Sequence, residues 1–157
     1  MFAMDVNLPG MIYAAILRSP KFGGTVVSFD DSSAKEVGGF IAAQTLPNKA
    51  GVVAFGKNTW AAFQARDALS VEWDFSTAER RSSDQMMDDH RAMLDSPAFD
   101  ASHATPLASV APVLDGAAKT IDAEFTFPFL AHAPLEPENC TIEPTDFGVR
   151  VHDGCQF

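Results

Sequence analysis

Between Asn58 and Leu69 the chain sets Ala61, Ala62, Ala65, Ala68 and Leu69 at i, i+1, i+4, i+7 and i+8, one stripe of a helix whose contact face is almost entirely alanine. Such a face offers little apolar area to bury. It is useful only if the helix lies close against a sheet, where short side chains let the two backbones approach. Asn58 is the expected N-cap, since its carboxamide oxygen can accept from an N–H of the first turn.

The flanking sequence supplies a sheet. Leu8-Pro9-Gly10 is a turn, and Met11–Leu17 is apolar on both alternating faces, so a strand covered on both sides is expected there. Ser19-Pro20 and Gly23-Gly24 punctuate, and Thr25–Phe29 reads as the next strand. Asp30–Val37 reads as one short helix, with Ser33 and Glu36 at capping-box spacing and Gly38-Gly39 as the stop. Phe40–Leu46, Val52–Phe55 and Val71–Trp73 read as further strands. Tyr13, Trp60 and Trp73 are expected in the core. These elements form an α+β domain over residues 1–75.

Residues 76–118 differ in composition. A helix is expected at Asp84–Leu94, with Met86, Met87, His90, Met93 and Leu94 on one face and Ser82 with Gln85 as a capping pair. The Ala-, Ser- and Pro-rich run from Pro97 to Pro112 reads as an extended connector. Residues 119–157 begin with Thr120–Phe127, whose alternation reads as a half-buried strand. Thr141–Glu143 and Val149–Val151 are short strands. The sheet begun at Thr120 is not closed within the sequence, which reads as truncation. An unpaired edge is a pairing liability, so self-association is expected. There is no internal repeat.

Composition excludes several classes. The 157 residues are 46% hydrophobic and 20% charged, as in a folded globular protein. Net charge is −10, from 21 acidic against 11 basic residues, and the densest basic stretch, Arg80-Arg81, is flanked by Glu79 and Asp84. A phosphate-binding face is therefore absent, and neither nucleic acid nor anionic membrane is an expected partner. No run approaches the roughly 20 apolar residues of a spanning helix. Met1–Asp5 lacks the charged and apolar regions of a secretory signal. Thirteen Phe against one Tyr read as apolar filling. Two cysteines, Cys140 and Cys155, are too few for a disulfide scaffold and are expected as reduced thiols. Compartment does not follow from any of this.

One stretch is dense in reactive side chains: His132-Ala133-Pro134-Leu135-Glu136-Pro137-Glu138-Asn139-Cys140. On a helix His132, Glu136 and Cys140 would share a face as metal ligands, but Pro134 and Pro137 argue against a helix. The bland alternative is a solvated loop. The sharper one is a proline-braced loop presenting Glu136 into a pocket. His90, on an apolar helix face, reads as a core or interface histidine; His103 and His152 read as structural or solvated. There is no Gly-rich phosphate loop and no Gly-x-Ser-x-Gly elbow.

Three stretches together resemble the large subunit of the xanthine dehydrogenase and aldehyde oxidase family, most of all the branch of isoquinoline 1-oxidoreductase beta subunits and bacterial aldehyde oxidoreductases. Ala3–Ala14, continuing through Leu17-Arg18-Ser19-Pro20, is similar to the opening strand of that family's α/β hammerhead domain. Asn58–Ala62, Ala65–Leu69 and Val71–Asp74 resemble the helix and strand that complete it. Phe129–Thr141 resembles the start of the molybdopterin-binding domain and is the most specific of the three.

The resemblance implies a hammerhead domain at 1–75, a helix and connector at 76–118, and the first strands of a molybdopterin-binding domain at 119–157. It implies hydroxylation of N-heteroaromatics or oxidation of aldehydes with water-derived oxygen. It also implies molybdenum on molybdopterin, expected as the cytosine dinucleotide, and a [2Fe–2S] small subunit as electron partner. By position, Glu136 matches the glutamate on the substrate side of the molybdenum pocket, and Gln156 resembles a glutamine near the cofactor. Where the xanthine oxidase branch has Gly-Gln before the equivalent of His132, this chain has Phe129-Leu130-Ala131. The family's Gly-rich cofactor loop and its catalytic glutamate have no counterpart here. No catalytic residue is thus assigned, and the isolated chain is expected to bind no cofactor and to turn nothing over. The competing readings are a non-catalytic binding or assembly module that shares the hammerhead fold, and a small metal enzyme built on His132, Glu136 and Cys140. Family members occur in both cytoplasm and periplasm, so compartment stays open.

Overall fold

A computed structural model describes residues 2–94 and 107–154. They fall into two compact units, Met1–Arg80 with Glu138–Phe157, and Arg81–Pro137. Helices and small antiparallel sheets make the chain α+β, as expected.

In the first unit, β1 (Tyr13–Arg18), β4 (Gly51–Gly56) and β3 (Phe40–Thr45) form an antiparallel sheet in the order β1-β4-β3, with Ala15 and Ala43 both opposite Ala54. A second sheet pairs β2 (Thr25–Asp30) with β5 (Ser70–Asp74), and β2 carries a bulge between Val26 and Ser28. Helix α1 (Ser32–Lys35) is a single turn, and α2 (Thr59–Asp67) packs on β4 and β1. The core is small: Val26, Ala34, Val52, Ala54, Ala65 and Leu69 are buried together, ringed by Leu17, Phe29, Val37, Phe40, Val71 and Trp73.

The alanine stripe does what its chemistry requires. Ala61, Ala62 and Ala65 are buried against β4, and the Asn58 carboxamide oxygen accepts from the Ala61 N–H at 2.8 Å. Gly56 makes the approach possible, because a Cβ there would stand 2.5 Å from the Ala62 nitrogen and 2.9 Å from the Ala61 carbonyl carbon. Gly51, at the other end of β4, is as confined: a Cβ would sit 2.5 Å from the Leu17 carbonyl oxygen.

Several expectations need correction. β1 is covered on one side only; Ala15 is buried while Ala14 and Ile16 are exposed, because α2 covers one face of the sheet. Trp60 is 70% exposed rather than in the core, since the alanines beside it take the inward face. The capping pair at Ser33 and Glu36 does not form. Asp30 captures the start of α1 instead, accepting from the Ser32 N–H at 2.9 Å and its hydroxyl at 2.6 Å.

In the second unit, α3 (Ser83–Leu94) begins at the expected pair, with the Ser82 N–H donating to Gln85 Oε1 at 2.9 Å and the Gln85 N–H to Ser82 Oγ at 3.2 Å. Its apolar face stays largely open: Met93 is 53% and Leu94 83% exposed. A further helix, α4 (Leu107–Asp115), occupies part of the run read as a connector and accommodates Pro112 inside it; residues 95–106 lie outside the described ones. The expected strand at Thr120–Phe127 is not formed. A strand needs a hydrogen-bonding neighbour, and among the described residues none pairs with this segment. Three of the phenylalanines read as filling are not filling here, because no sheet forms to cover them: Phe125 is 77%, Phe127 75% and Phe129 62% exposed. In the first unit β6 (Cys140–Thr145) and β7 (Gly148–Asp153) form a hairpin, with β6 beside the N-terminal turn at Ala3–Asp5.

Two outcomes follow from this packing. Gly56→Ala forces the helix off the sheet and is expected to cost about 1–3 kcal/mol of stability in chemical denaturation. Hydrogen bonds from the Ser32 hydroxyl and N–H hold the Asp30 carboxyl below its ordinary range, so its stabilising effect is present above pH about 3.8 and fades as pH falls through the lowered value. Asp30→Ala should therefore melt below the parent at neutral pH, with the gap between the two closing in acid.

Candidate functional site

The segment Ala131–Asn139 forms neither helix nor strand, as Pro134 and Pro137 dictate: each removes an N–H. Ala133 takes φ +45°, in the left-handed region, directly before Pro134. A Cβ-bearing residue adopts that conformation at a cost of about 1–3 kcal/mol, and such strain gathers at sites whose backbone is held for a purpose. Glu136 is the one residue of Ala131–Glu138 that is not fully exposed; it is half-buried.

The other residues singled out in the sequence disperse. Among the described residues no group of three or more His, Cys, Asp or Glu side chains gathers as a metal ion would require, so the metal-enzyme reading of His132, Glu136 and Cys140 lacks its site. Cys140 is a free, exposed thiol. Gln156, Cys155 and His103 lie outside the described residues. His90 is exposed, which removes the core alternative of its reading, and meets the Phe129 ring edge-on at 5.9 Å.

Two polar constellations escaped the sequence reading. On the β6–β7 hairpin, the Glu143 carboxylate accepts from Arg150 Nη1 at 3.1 Å and lies 3.3 Å from His152 Nε2. Alternation in both strands would have put the three on one face, since Glu143 lies opposite Arg150 and Thr141 opposite His152. In the other unit, Arg91 on α3 donates through Nε to Glu124 at 2.9 Å, through Nη1 to Asp88 at 3.0 Å and through Nη2 to Thr126 at 3.3 Å. The Glu124 hydrogen bond, with its charge and that of Asp88, holds the guanidinium more firmly protonated than usual. No spacing rule reaches from Arg91 to Glu124.

Chemically, Glu136 can accept a hydrogen bond and orient a ring N–H. Holding a pterin dinucleotide is another matter. Ala131–Asn139 contains no Lys or Arg to meet a phosphate, and its two prolines subtract donors. These residues do not fit the whole cofactor.

No protein-family model matches the chain. It is 28% identical over 155 residues to the isoquinoline 1-oxidoreductase subunit beta of Brevundimonas diminuta, covering 91% of this chain and 19% of that protein. It is 26% identical over 162 residues to the membrane-bound aldehyde dehydrogenase [pyrroloquinoline-quinone] of Gluconacetobacter polyoxogenes, covering 99% of this chain and 21% of that protein. The chain is thus similar to the N-heteroaromatic and aldehyde oxidoreductases that these two names describe. These homologues are oxidoreductases, and the chain spans about a fifth of the length of the two relatives. The quinoline 2-oxidoreductase of Pseudomonas putida 86 superposes with a TM-score of 0.40 at 19% identity, over 46% of this chain and 14% of that one.

Within the unit Arg81–Pro137, the Arg91 contacts tether the segment around Glu124 to α3. Arg91→Ala is expected to speed limited proteolysis between residues 119 and 130 while leaving the helical circular-dichroism signal of α3 in place. Raised salt should move the parent the same way, because these ion pairs are solvent-exposed.

Proposed function

We propose that the chain is part of the molybdopterin-binding large subunit of a molybdenum hydroxylase that oxidises N-heteroaromatics or aldehydes. On this reading residues 1–75 are its α/β hammerhead domain, residues 76–118 a helix and connector, and residues 119–157 the start of the molybdopterin-binding domain. The observation that carries the reading is the match to the isoquinoline 1-oxidoreductase subunit beta over 91% of the chain. Glu136 is the substrate-side carboxylate of the pocket, and its half-buried position on a strained, proline-braced loop supports that role. Gln156 is assigned to the cofactor side by its place in the sequence. The cofactor is molybdopterin, as the cytosine dinucleotide, and electrons leave to a [2Fe–2S] small subunit.

The two relatives carry different names for their chemistry, and the second names pyrroloquinoline quinone. Molybdenum is preferred because Phe129–Thr141 resembles the start of a molybdopterin-binding domain. Chain beyond residue 157 supplies the remaining walls of the pocket, so residues 1–157 alone are inactive.

The test is to read the gene past the codon for Phe157 and to assay the longer polypeptide for molybdenum, pterin and pyrroloquinoline quinone. Stoichiometric molybdenum is expected in the longer polypeptide and none in residues 1–157 alone. Quinone without molybdenum, or a frame that stops, would overturn the reading. In the longer polypeptide, Glu136→Gln should lower kcat/KM by about a hundredfold with molybdenum content unchanged, the loss expected of a misplaced substrate.

A further inference from the structure

Among the described residues, two that carry a Cβ take φ in the left-handed region, Lys49 at +56° and Ala133 at +45°. Lys49 is accounted for by its turn. It lies between β3 and β4, where its N–H donates to the Leu46 carbonyl at 2.8 Å and its carbonyl accepts from the Val26 N–H at 2.9 Å. Ala133 belongs to a segment that is neither helix nor strand, so no hairpin dictates its conformation. It also precedes Pro134, and a proline favours φ of about −120° with extended ψ in the residue before it. The chain is held on both sides of this position. Upstream, Arg91 of α3 donates to Glu124 and Thr126, and His90 meets the Phe129 ring four residues before Ala133. Downstream, the pyrrolidine ring fixes φ at Pro134. Three residues past Ala133, Glu136 is half-buried while Leu135 beside it is fully exposed.

We propose that Ala133 is a positioning residue for Glu136: its left-handed backbone, rather than its methyl group, sets the direction in which that carboxylate is presented to a substrate. The inference rests on reading Glu136 as the substrate-side carboxylate of a large subunit. Ala133 is itself exposed, so its methyl has little packing to contribute. Its φ is another matter, because a rotation there swings everything downstream. Between Ala133 and Glu136 stand only Pro134, whose φ is covalently fixed, and Leu135. A relaxation of Ala133 to extended backbone therefore reaches Glu136 with few torsions left to absorb it. Strained residues persist only where their surroundings over-determine them. Here the contacts on α3 and the ring of Pro134 supply that constraint from opposite sides. A strained turn without a role could relax at no cost to substrate binding, and this difference is measurable.

Three substitutions separate backbone from side chain. Asn and Gly adopt positive φ readily, whereas Val, close to Asn in size, does not. In residues 1–157 the intraresidue HN–Hα Overhauser effect, which strengthens where φ is positive, is expected to be strong at position 133 in the parent, in Ala133→Asn and in Ala133→Gly. It should be weak in Ala133→Val. In the longer polypeptide Ala133→Val should lose about tenfold or more in kcat/KM at unchanged molybdenum content, while Ala133→Asn and Ala133→Gly stay within about threefold of the parent. Placed on Glu136→Gln, Ala133→Val should cost less than about twofold more, because a positioning residue acts through the group it positions. A weak Overhauser effect at Ala133 in the parent would overturn the proposal. So would a loss of about tenfold in Ala133→Asn, a result that needs no folded Ala133→Val. Full activity in Ala133→Val, or an equal loss with and without the Glu136 carboxylate, would do the same. Each of these outcomes leaves the large-subunit reading standing where molybdenum is stoichiometric. A longer polypeptide without molybdenum overturns both.

Discussion

Everything in the first unit depends on how near α2 can come to β4. The helix contributes alanine where most helices contribute leucine, so its burial yields little per residue, and the shortfall is met by proximity. Gly56 opens the sheet surface at the point of nearest approach, Ala61 and Ala62 present no side chain longer than a methyl, and Val52 and Ala54 fill the remaining space on the strand. Dispersion is steep in distance, so a layer of small residues at close range can hold as well as large residues spread apart. Such packing tolerates little. A single methyl at Gly56 has nowhere to go, whereas the exposed Trp60, next to Ala61 in the helix, stands clear of the contact.

This economy explains the distribution of the large apolar side chains. A core of alanine and valine leaves no room for thirteen phenylalanines, and Phe125, Phe127, Phe129 and Phe147 stand mostly in solvent. Isolated exposed apolar residues are ordinary on a protein surface. An alternating row of them beside a polar row is not, because alternation is the mark of a sequence shaped to divide two environments. The β6–β7 hairpin repeats the pattern: Glu143, Arg150 and His152 interact across one face, while Ile142 and Val151 lie opposite each other on the other and are 61% and 57% exposed. A two-stranded hairpin of this size is marginal by itself.

The parts of the fold that could be read from the sequence are those fixed by local physics. Asn58 caps α2 and the Ser82–Gln85 pair opens α3 because both geometries involve residues three apart. The strands from Tyr13 to Asp74 fall within a residue or two of where turn residues bound them. Non-local physics defeated the rest. Whether Met11–Leu17 is covered on one side or two depends on which face α2 chooses, and composition cannot say. Thr120–Phe127 has every local property of a strand, yet a strand is a relation between two segments. The Arg91–Glu124 pair spans 33 residues and follows from no periodicity. The candidate site divides the same way: two prolines made an irregular loop at Glu136 legible, while the left-handed turn at Ala133 was not.

The loop at Glu136 also shows how a segment can be stiffened before anything packs on it. A carboxylate that must meet a substrate edge-on needs a fixed backbone more than it needs neighbours. Prolines fix φ without any tertiary contact, because their restriction is covalent. Placing Pro134 and Pro137 on either side of Leu135-Glu136 therefore stiffens the segment before anything packs on it. The left-handed Ala133 adds a turn that an L-residue adopts only where its surroundings hold it there. Phosphate binding cannot be prepared in this way, since it requires convergent N–H groups and cations from several elements. Ala131–Asn139 has the first kind of feature and not the second: two prolines, and no Lys or Arg.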